Sequence, residues 1–165
     1  MKSKRIAYLG LLTALAFVFS YVEFLMPISL GIPGVKLGLA NLVIIVAIYT
    51  VGAKDAFFLS MVRILLVALT FGNMATVLYS FAGAVLSFLA MLLTKKTNLL
   101  SMKGVSILGG VTHNLGQIIT AMILLETSKI FYYFPVLLVA GTVSGLGIGV
   151  LASMVTERVQ KLIVT

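Results

Sequence analysis

Few side chains in this 165-residue chain carry chemistry. The carboxylates are Glu23, Asp55, Glu126 and Glu157, the lone imidazole is His113, and there is no cysteine. No two carboxylates share a local stretch, so a Mg²⁺-diphosphate centre built on an aspartate cluster is not encoded. His113 has no neighbours at zinc-ligand spacing, and a phosphate-binding G-x-x-x-x-G-K-[ST] loop is missing. Without cysteine there are no disulfides, thiolate metal sites or cysteine nucleophiles. These residues predict no enzyme, no ATP hydrolysis by this chain, and no bound metal or cofactor.

What remains is suited to binding. Arg63 lies within an apolar run, about two turns into its helix, where a cation is costly and must face protein, a partner group or water. Glu23 reaches it only if the first helix sits unusually deep. Thr112-His113-Asn114-Leu115-Gly116-Gln117 places His113 and Gln117 one helical turn apart, with Asn114 on an adjoining face. Such groups either hydrogen-bond between helices or line a ligand pocket, and three large polar side chains within five residues favour the pocket. Asn41, Asn73, Thr76, Tyr79 and Ser80 fall near the same ends of their helices, with Lys36 at the rim. Arg63, Lys36 and His113, with few acids nearby, favour an anionic or strongly polar ligand. Tyr79, Phe81, Tyr132 and Tyr133 offer rings, although exposed tyrosines more commonly anchor a membrane interface.

The elements that must position these groups are apolar. Hydrophobic residues make up 61% of the chain and charged ones 10%, with a mean hydropathy of +1.22. A soluble domain needs more polar surface than that. The polar residues cluster between long apolar runs, each suited to a hydrocarbon core of roughly 30 Å. The reading is an all-α, polytopic membrane protein, one domain over residues 1–165, with six transmembrane helices. They are expected over about Ile6–Met26, Leu37–Val51, Asp55–Leu69, Met74–Leu93, Gly104–Leu125 and Tyr133–Val155. Lys2, Lys4 and Arg5 precede the first run, but it is too long for a cleaved signal core.

Pro27 and Gly31-Ile32-Pro33-Gly34 end the first helix, Gly52-Ala53-Lys54-Asp55 makes a turn with Asp55 as cap of the third, and a polar loop spans Lys95 to Lys103. Pro135 suits the first turn of the sixth helix. With six spans both termini share a side, and that side collects Lys2, Lys4, Arg5, Lys54, Lys95, Lys96, Lys103, Arg158 and Lys161. Lys36 and Lys129 fall opposite. The positive-inside rule then puts both termini in the cytoplasm, in a cell membrane. The net charge of +8 reports topology and anionic-lipid contact, not nucleic acid. Gly141, Gly145, Gly149 and Ser153 form a small-residue face on the sixth helix. Gly10 with Ala14, and Ala16 with Ser20, do so on the first, suiting either internal packing or a separate membrane subunit.

The segments Gly31-Ile32-Pro33-Gly34-Val35-Lys36-Leu37-Gly38-Leu39-Ala40-Asn41 and Gly109-Gly110-Val111-Thr112-His113-Asn114-Leu115-Gly116-Gln117 resemble those of the Gx transporter family, also labelled heptaprenyl diphosphate synthase component I. The resemblance covers essentially the whole chain. It implies a bundle similar to the S components of energy-coupling-factor transporters, which capture a vitamin or precursor outside while a shared membrane subunit and ATPases on other chains drive its release. Gly10, Ala14, Ala16 and Ser20 would then dock the shared subunit. Lys36, Asn41, Arg63, Asn73, Tyr79, His113, Asn114 and Gln117 would bind the ligand, a flavin, a vitamin-like molecule, or a prenyl or quinone precursor. Prenyl diphosphate synthases use aspartate-rich motifs and this chain has one aspartate, so the synthase label implies an accessory membrane partner. The alternatives are a scaffold for such a synthase or for a redox system outside the cytoplasm, and a self-sufficient secondary transporter.

Overall fold

The computed structural model describes residues 2–25, 38–72 and 74–164. It contains α1 Lys2–Leu25, α2 Leu39–Thr50, α3 Ala53–Thr70, α4 Met74–Thr97, α5 Met102–Leu124 and α6 Phe134–Val164, with a 3-10 helix, Ser128–Tyr133, leading into α6. No strand occurs among the described residues. The segments Arg5–Leu25, Val77–Thr97, Met102–Leu124 and Ser128–Lys161 are long and apolar enough to cross a membrane. Large apolar side chains such as Leu11, Leu69, Leu93, Ile123 and Val139 are exposed on the outside of the bundle, the surface that hydrocarbon would cover. The protein is an all-helical membrane bundle, as its hydropathy predicts.

Three contacts set the polarity of the bundle. Arg5 Nε donates to Asp55 Oδ2 at 3.0 Å, joining the starts of α1 and α3. Lys95 Nζ donates to the Ile48 carbonyl at 2.6 Å, joining the ends of α4 and α2. Gly149 of α6 lies against the Lys103 backbone at the start of α5. Both termini therefore share one face, called here the terminal face.

Helix ends on that face depart from expectation. α4 continues through Lys95 and Lys96 to Thr97, where a loop is expected, and α6 runs to Val164 instead of stopping near Val155. Hydropathy sees the apolar part of a helix, whereas Lys, Arg, Glu and Gln prolong one already nucleated. The 3-10 helix before α6 is likewise not visible in hydropathy. Asp55 does not cap α3. The helix follows Gly52, whose φ of 98° and ψ of 166° suit glycine alone. Asp55 sits in the first turn, where its charge complements the helix dipole and holds Arg5. Pro135 does occupy the first turn of α6. The loop expected across Pro27 and Gly31 to Gly34 lies outside the described residues.

α2 is the unusual element. Its 12 residues span about 18 Å at 1.5 Å per residue, short of the bilayer core that its apolar run was expected to match. Residues Val43 to Ile48 are all buried, so the helix is covered on every side. It packs on α1, α3 and α6, and its first residues sit deep in the bundle, since Gly38 abuts Ile148, midway along α6.

α5 is gripped between α4 and α6, its most extensive partners. A Cβ added at Gly110 would lie 2.5 Å from the Gly141 oxygen, one at Gly145 2.8 Å from Ile107 Cα, and one at Gly149 2.7 Å from Lys103 Cα. On the other side of α5, a Cβ at Gly116 would lie 2.7 Å from the Ala82 oxygen. Gly141, Gly145 and Gly149 of α6 thus serve internal packing, where close backbone approach supplies the dispersion that hydrophobicity does not supply in lipid. Gly141→Val is expected to lower thermal stability in detergent by roughly 1–3 kcal/mol through overpacking. Gly10→Val is expected to leave it unchanged, since nothing lies within 4 Å of a Cβ there. Equal unfolding midpoints for the two variants would contradict the α5–α6 packing.

Candidate functional site

Arg63 is the best-defined polar centre. It is 9% exposed in the middle of α3. Its Nη1 donates to Ser20 Oγ of α1 at 3.1 Å. Its Nε is buried with no hydrogen-bond partner among the described residues. Glu23, three residues beyond Ser20 on α1, is the carboxylate whose charge acts on Arg63. α1 therefore does sit deep enough for the two to sense each other. The Glu23 carboxylate is nevertheless engaged elsewhere, since Oε1 accepts the Leu39 N–H at the start of α2 at 2.8 Å. Among the described residues Arg63 has one hydrogen-bonded partner, a neutral hydroxyl, although burying a cation costs several kcal/mol unless it is well paired.

A cavity of about 10 Å³ adjoins it, lined by Arg63, Ile64, Val67, Ala68 and Gly72 of α3 and the following turn, and by Val77 and Ser80 of α4. That is room for about one water, not for a ring-sized molecule. Phe71, just past α3, packs its ring against Phe17, Tyr21 and Phe24 of α1 at centroid distances of 5.8, 5.4 and 4.9 Å. These rings hold the end of α3 to α1 beside the cavity.

The other expected ligand residues lie on different seams. The His113 ring covers Gly83 of α4, where an added Cβ would lie 2.9 Å from Cε1, and His113 Nε2 stands 3.2 Å from Gln117 Nε2. Asn114 points the other way and donates from Nδ2 to the Leu137 carbonyl of α6 at 2.8 Å. It braces α5 on α6, the helix-gluing alternative. Asn41 lies in the first turn of α2, with its amide nitrogen near Gly38, and Tyr79 is half-buried on α4. Lys36 and Asn73 lie outside the described residues. Arg63 thus addresses the α1–α3–α4 side, His113 and Gln117 the α4–α5 seam, and Asn114 the α5–α6 seam.

The small residues of α1 also separate. Gly10 and Ala14 are exposed, whereas Ala16 is fully buried and Ser20 holds Arg63 inside the bundle. A docking face built on all four therefore loses Ala16 and Ser20. Three functional side chains escaped sequence reading in these roles: Ser20 as the Arg63 partner, Glu23 as the cap on α2, and Lys95 as the cap on its other end. The spacing of Ser20 and Glu23, three apart and so on one helix face, was the signal for the first two.

The caps on α2 are open to direct test. Glu23→Gln and Lys95→Met each remove a charge that satisfies an end of the helix and complements its dipole. Each is expected to cost about 0.5–2 kcal/mol in thermal unfolding. No loss in either variant would mean that α2 does not depend on them.

Comparison with known proteins gives one family. Residues 12–155 match the model of the family described as heptaprenyl diphosphate synthase component I, and the chain belongs to that family. No curated protein and no solved structure matches it.

Proposed function

We propose, starting from that family membership, that the chain is the substrate-binding membrane subunit of an importer of the energy-coupling-factor type. Its substrate is a small polar or anionic molecule, and a coupling membrane subunit and ATPases on other chains supply the energy. The observation that carries this reading is Arg63, a buried guanidinium with an unsatisfied Nε on the wall of a cavity. A cation kept in that state at a cost to stability is poised for a further acceptor to complete its hydrogen bonds, which a polar or anionic substrate would supply. Tyr79, His113, Gln117 and Asn41 would line the remainder of the path, with Lys36 and Asn73 at its rim, while Asn114 holds α5 to α6. In this reading the terminal face is cytoplasmic, and the exposed Gly10 and Ala14 on α1 present a small-residue face to the coupling subunit. The chain performs no catalysis itself.

The family name favours a second reading, a membrane accessory partner of a heptaprenyl diphosphate synthase. Affinity purification from native membrane in mild detergent, with mass spectrometry of proteins and small molecules, separates the two. Recovery of a coupling membrane subunit with ATPases, or of a tightly held anionic solute, is expected from the first. Recovery of a soluble prenyl synthase without either would replace it with the second.

Arg63→Met tests the site itself. Replacing buried ionic groups with apolar side chains of similar volume is often neutral or stabilising, by about 1–4 kcal/mol, where no partner charge is stranded, and Glu23 keeps its bond from the Leu39 N–H. The variant is therefore expected to unfold at or above the wild-type temperature without ligand and to lose retention of the co-purified solute. A variant that unfolds several kcal/mol earlier would make Arg63 a structural ion instead.

A further inference from the structure

The cavity at Arg63 suits an occupant no bigger than a small ion. It has room for about one water, and it leads from Arg63 in mid-α3 to Gly72 in the turn that follows. That turn lies on the face opposite the termini, so the approach is from water and not from lipid. Hydrogen-bonding capacity along the wall is one-sided. A guanidinium is all donor, and among the described residues Arg63 uses it once, from Nη1 to Ser20. Its Nε is buried with no acceptor. Acceptors are scarce in the lining. The Val67 carbonyl already accepts from the Phe71 and Gly72 N–H groups at 3.1 and 2.8 Å and from Thr70 Oγ1 at 3.4 Å. Ile64, Ala68 and Val77 present apolar side chains. Ser80 adds a hydroxyl, and among the described residues it is not spent on a carbonyl of its own helix, as those of Ser20 and Ser153 are. A water here would accept from Arg63 but bring O–H groups of its own, with Ser80 Oγ the one side-chain acceptor to receive them. It would also leave the charge as it stands, since no carboxylate forms a salt bridge with Arg63 among the described residues.

We infer that this cavity takes a monatomic anion of chloride's size, the resident counter-ion of Arg63. A halide accepts hydrogen bonds from any direction and brings no proton that needs an acceptor. A wall of guanidinium N–H, one hydroxyl and apolar side chains therefore suits it better than it suits water. Its negative charge also makes each bond from Arg63 a charge-assisted one, at a depth where a bare cation is costly. Chloride is little larger than water, so the lining gives only slightly to admit it. Ala68, Val77 and Ser80 are half-buried, and the α3–α4 seam lacks the glycine contacts that lock α4 to α5 and α5 to α6. Sulfate and phosphate exceed the space. The inference rests on the reading of Arg63 as a cation open to an outside acceptor. It adds that, before any substrate arrives, a halide holds the place of the substrate's acceptor group and must be displaced.

The test is thermal unfolding of the purified full chain in neutral detergent, with sodium gluconate replaced stepwise by sodium chloride at fixed ionic strength. Chloride is expected to raise the unfolding midpoint along a saturating curve, as a ligand of the folded state does. Bromide should do the same, and sulfate should give no saturating rise. The chloride effect should vanish in Arg63→Met and weaken at least tenfold in Ala68→Leu, which fills the cavity and keeps the guanidinium. Size-exclusion profiles show whether both variants remain folded. A readout on the wild-type chain alone is broadening of the chloride NMR line, which bromide should compete away. Equal midpoints in chloride and gluconate, with no broadening, would give the cavity to water and overturn the inference. An Arg63-dependent, co-purified solute would in that case still uphold the importer reading. Chloride effects undiminished in Arg63→Met would place the ion among the lysines of the terminal face and overturn the inference as well. Sulfate saturating at the same concentration as chloride would overturn the monatomic anion in favour of a larger one. A chloride effect lost in Arg63→Met, in a chain that retains no solute, would uphold the inference and remove the importer reading.

Discussion

The structure depends on keeping a short helix satisfied in an interior with little polar surface. The backbone of α2 has unpaired N–H groups at one end and unpaired carbonyls at the other, and leaving such groups bare in a membrane bundle costs several kcal/mol each. Its end lies at the terminal face, but by length alone its start does not reach the opposite one. α1 supplies a carboxylate at the N-terminus through Glu23, and α4 supplies an ammonium at the C-terminus through Lys95, which also lies 4.2 Å from the Tyr49 ring centroid. The two charges oppose the helix dipole at its two poles. Gly38, at φ 76°, turns the chain into α2 where a side chain would strike Ile148 Cδ1 at 2.9 Å. Val51 and Gly52 then both donate to the Ala47 carbonyl at its close.

This arrangement accounts for the condition of Arg63. Glu23 acts on it electrostatically, but no Glu23–Arg63 salt bridge forms among the described residues, and the Glu23 carboxylate accepts the Leu39 N–H. The bundle therefore holds an anion that accepts from a helix end and a cation with an incomplete set of partners. In the function proposed above, such a cation is the kind of local inconsistency expected of a binding site.

Much of the fold was legible because its signals are those of hydropathy: six apolar runs, their order, the Pro135 start of α6 and the small-residue face from Gly141 to Gly149. What hydropathy missed is polar or helical outside the apolar runs. Lys95 and Lys96 read as a loop because charge resembles an end, although Lys95 remains helical so as to reach Ile48. Asp55 reads as a cap because of its position, although Gly52 already turns the chain and Arg5 claims the carboxylate. For the site, residue type was informative and direction was not. Arg63 was identified as costly and His113 with Gln117 as one face, and both descriptions match the geometry. Asn114, one residue on from His113, points about 100° around the helix and serves α6. The Ala16–Ser20 face suited internal packing or docking of another chain equally, because spacing on one helix does not say whether a neighbour within the same chain already occupies it.

The capping of α2 also bears on the order in which the chain is made. Glu23 is synthesised before α2, but Lys95 emerges 45 residues after Thr50. While α2 and α3 are being made, the Ile48 carbonyl lacks the Lys95 ammonium that it accepts from in the finished fold, and the helix is too short for both ends to sit in the headgroup regions of a full bilayer. α2 cannot reach its final depth by inserting on its own as a first-stage transmembrane segment. Its cap is completed when α4 arrives and its packing only when α6 does, so this short helix takes its final surroundings from the half of the molecule that is translated second.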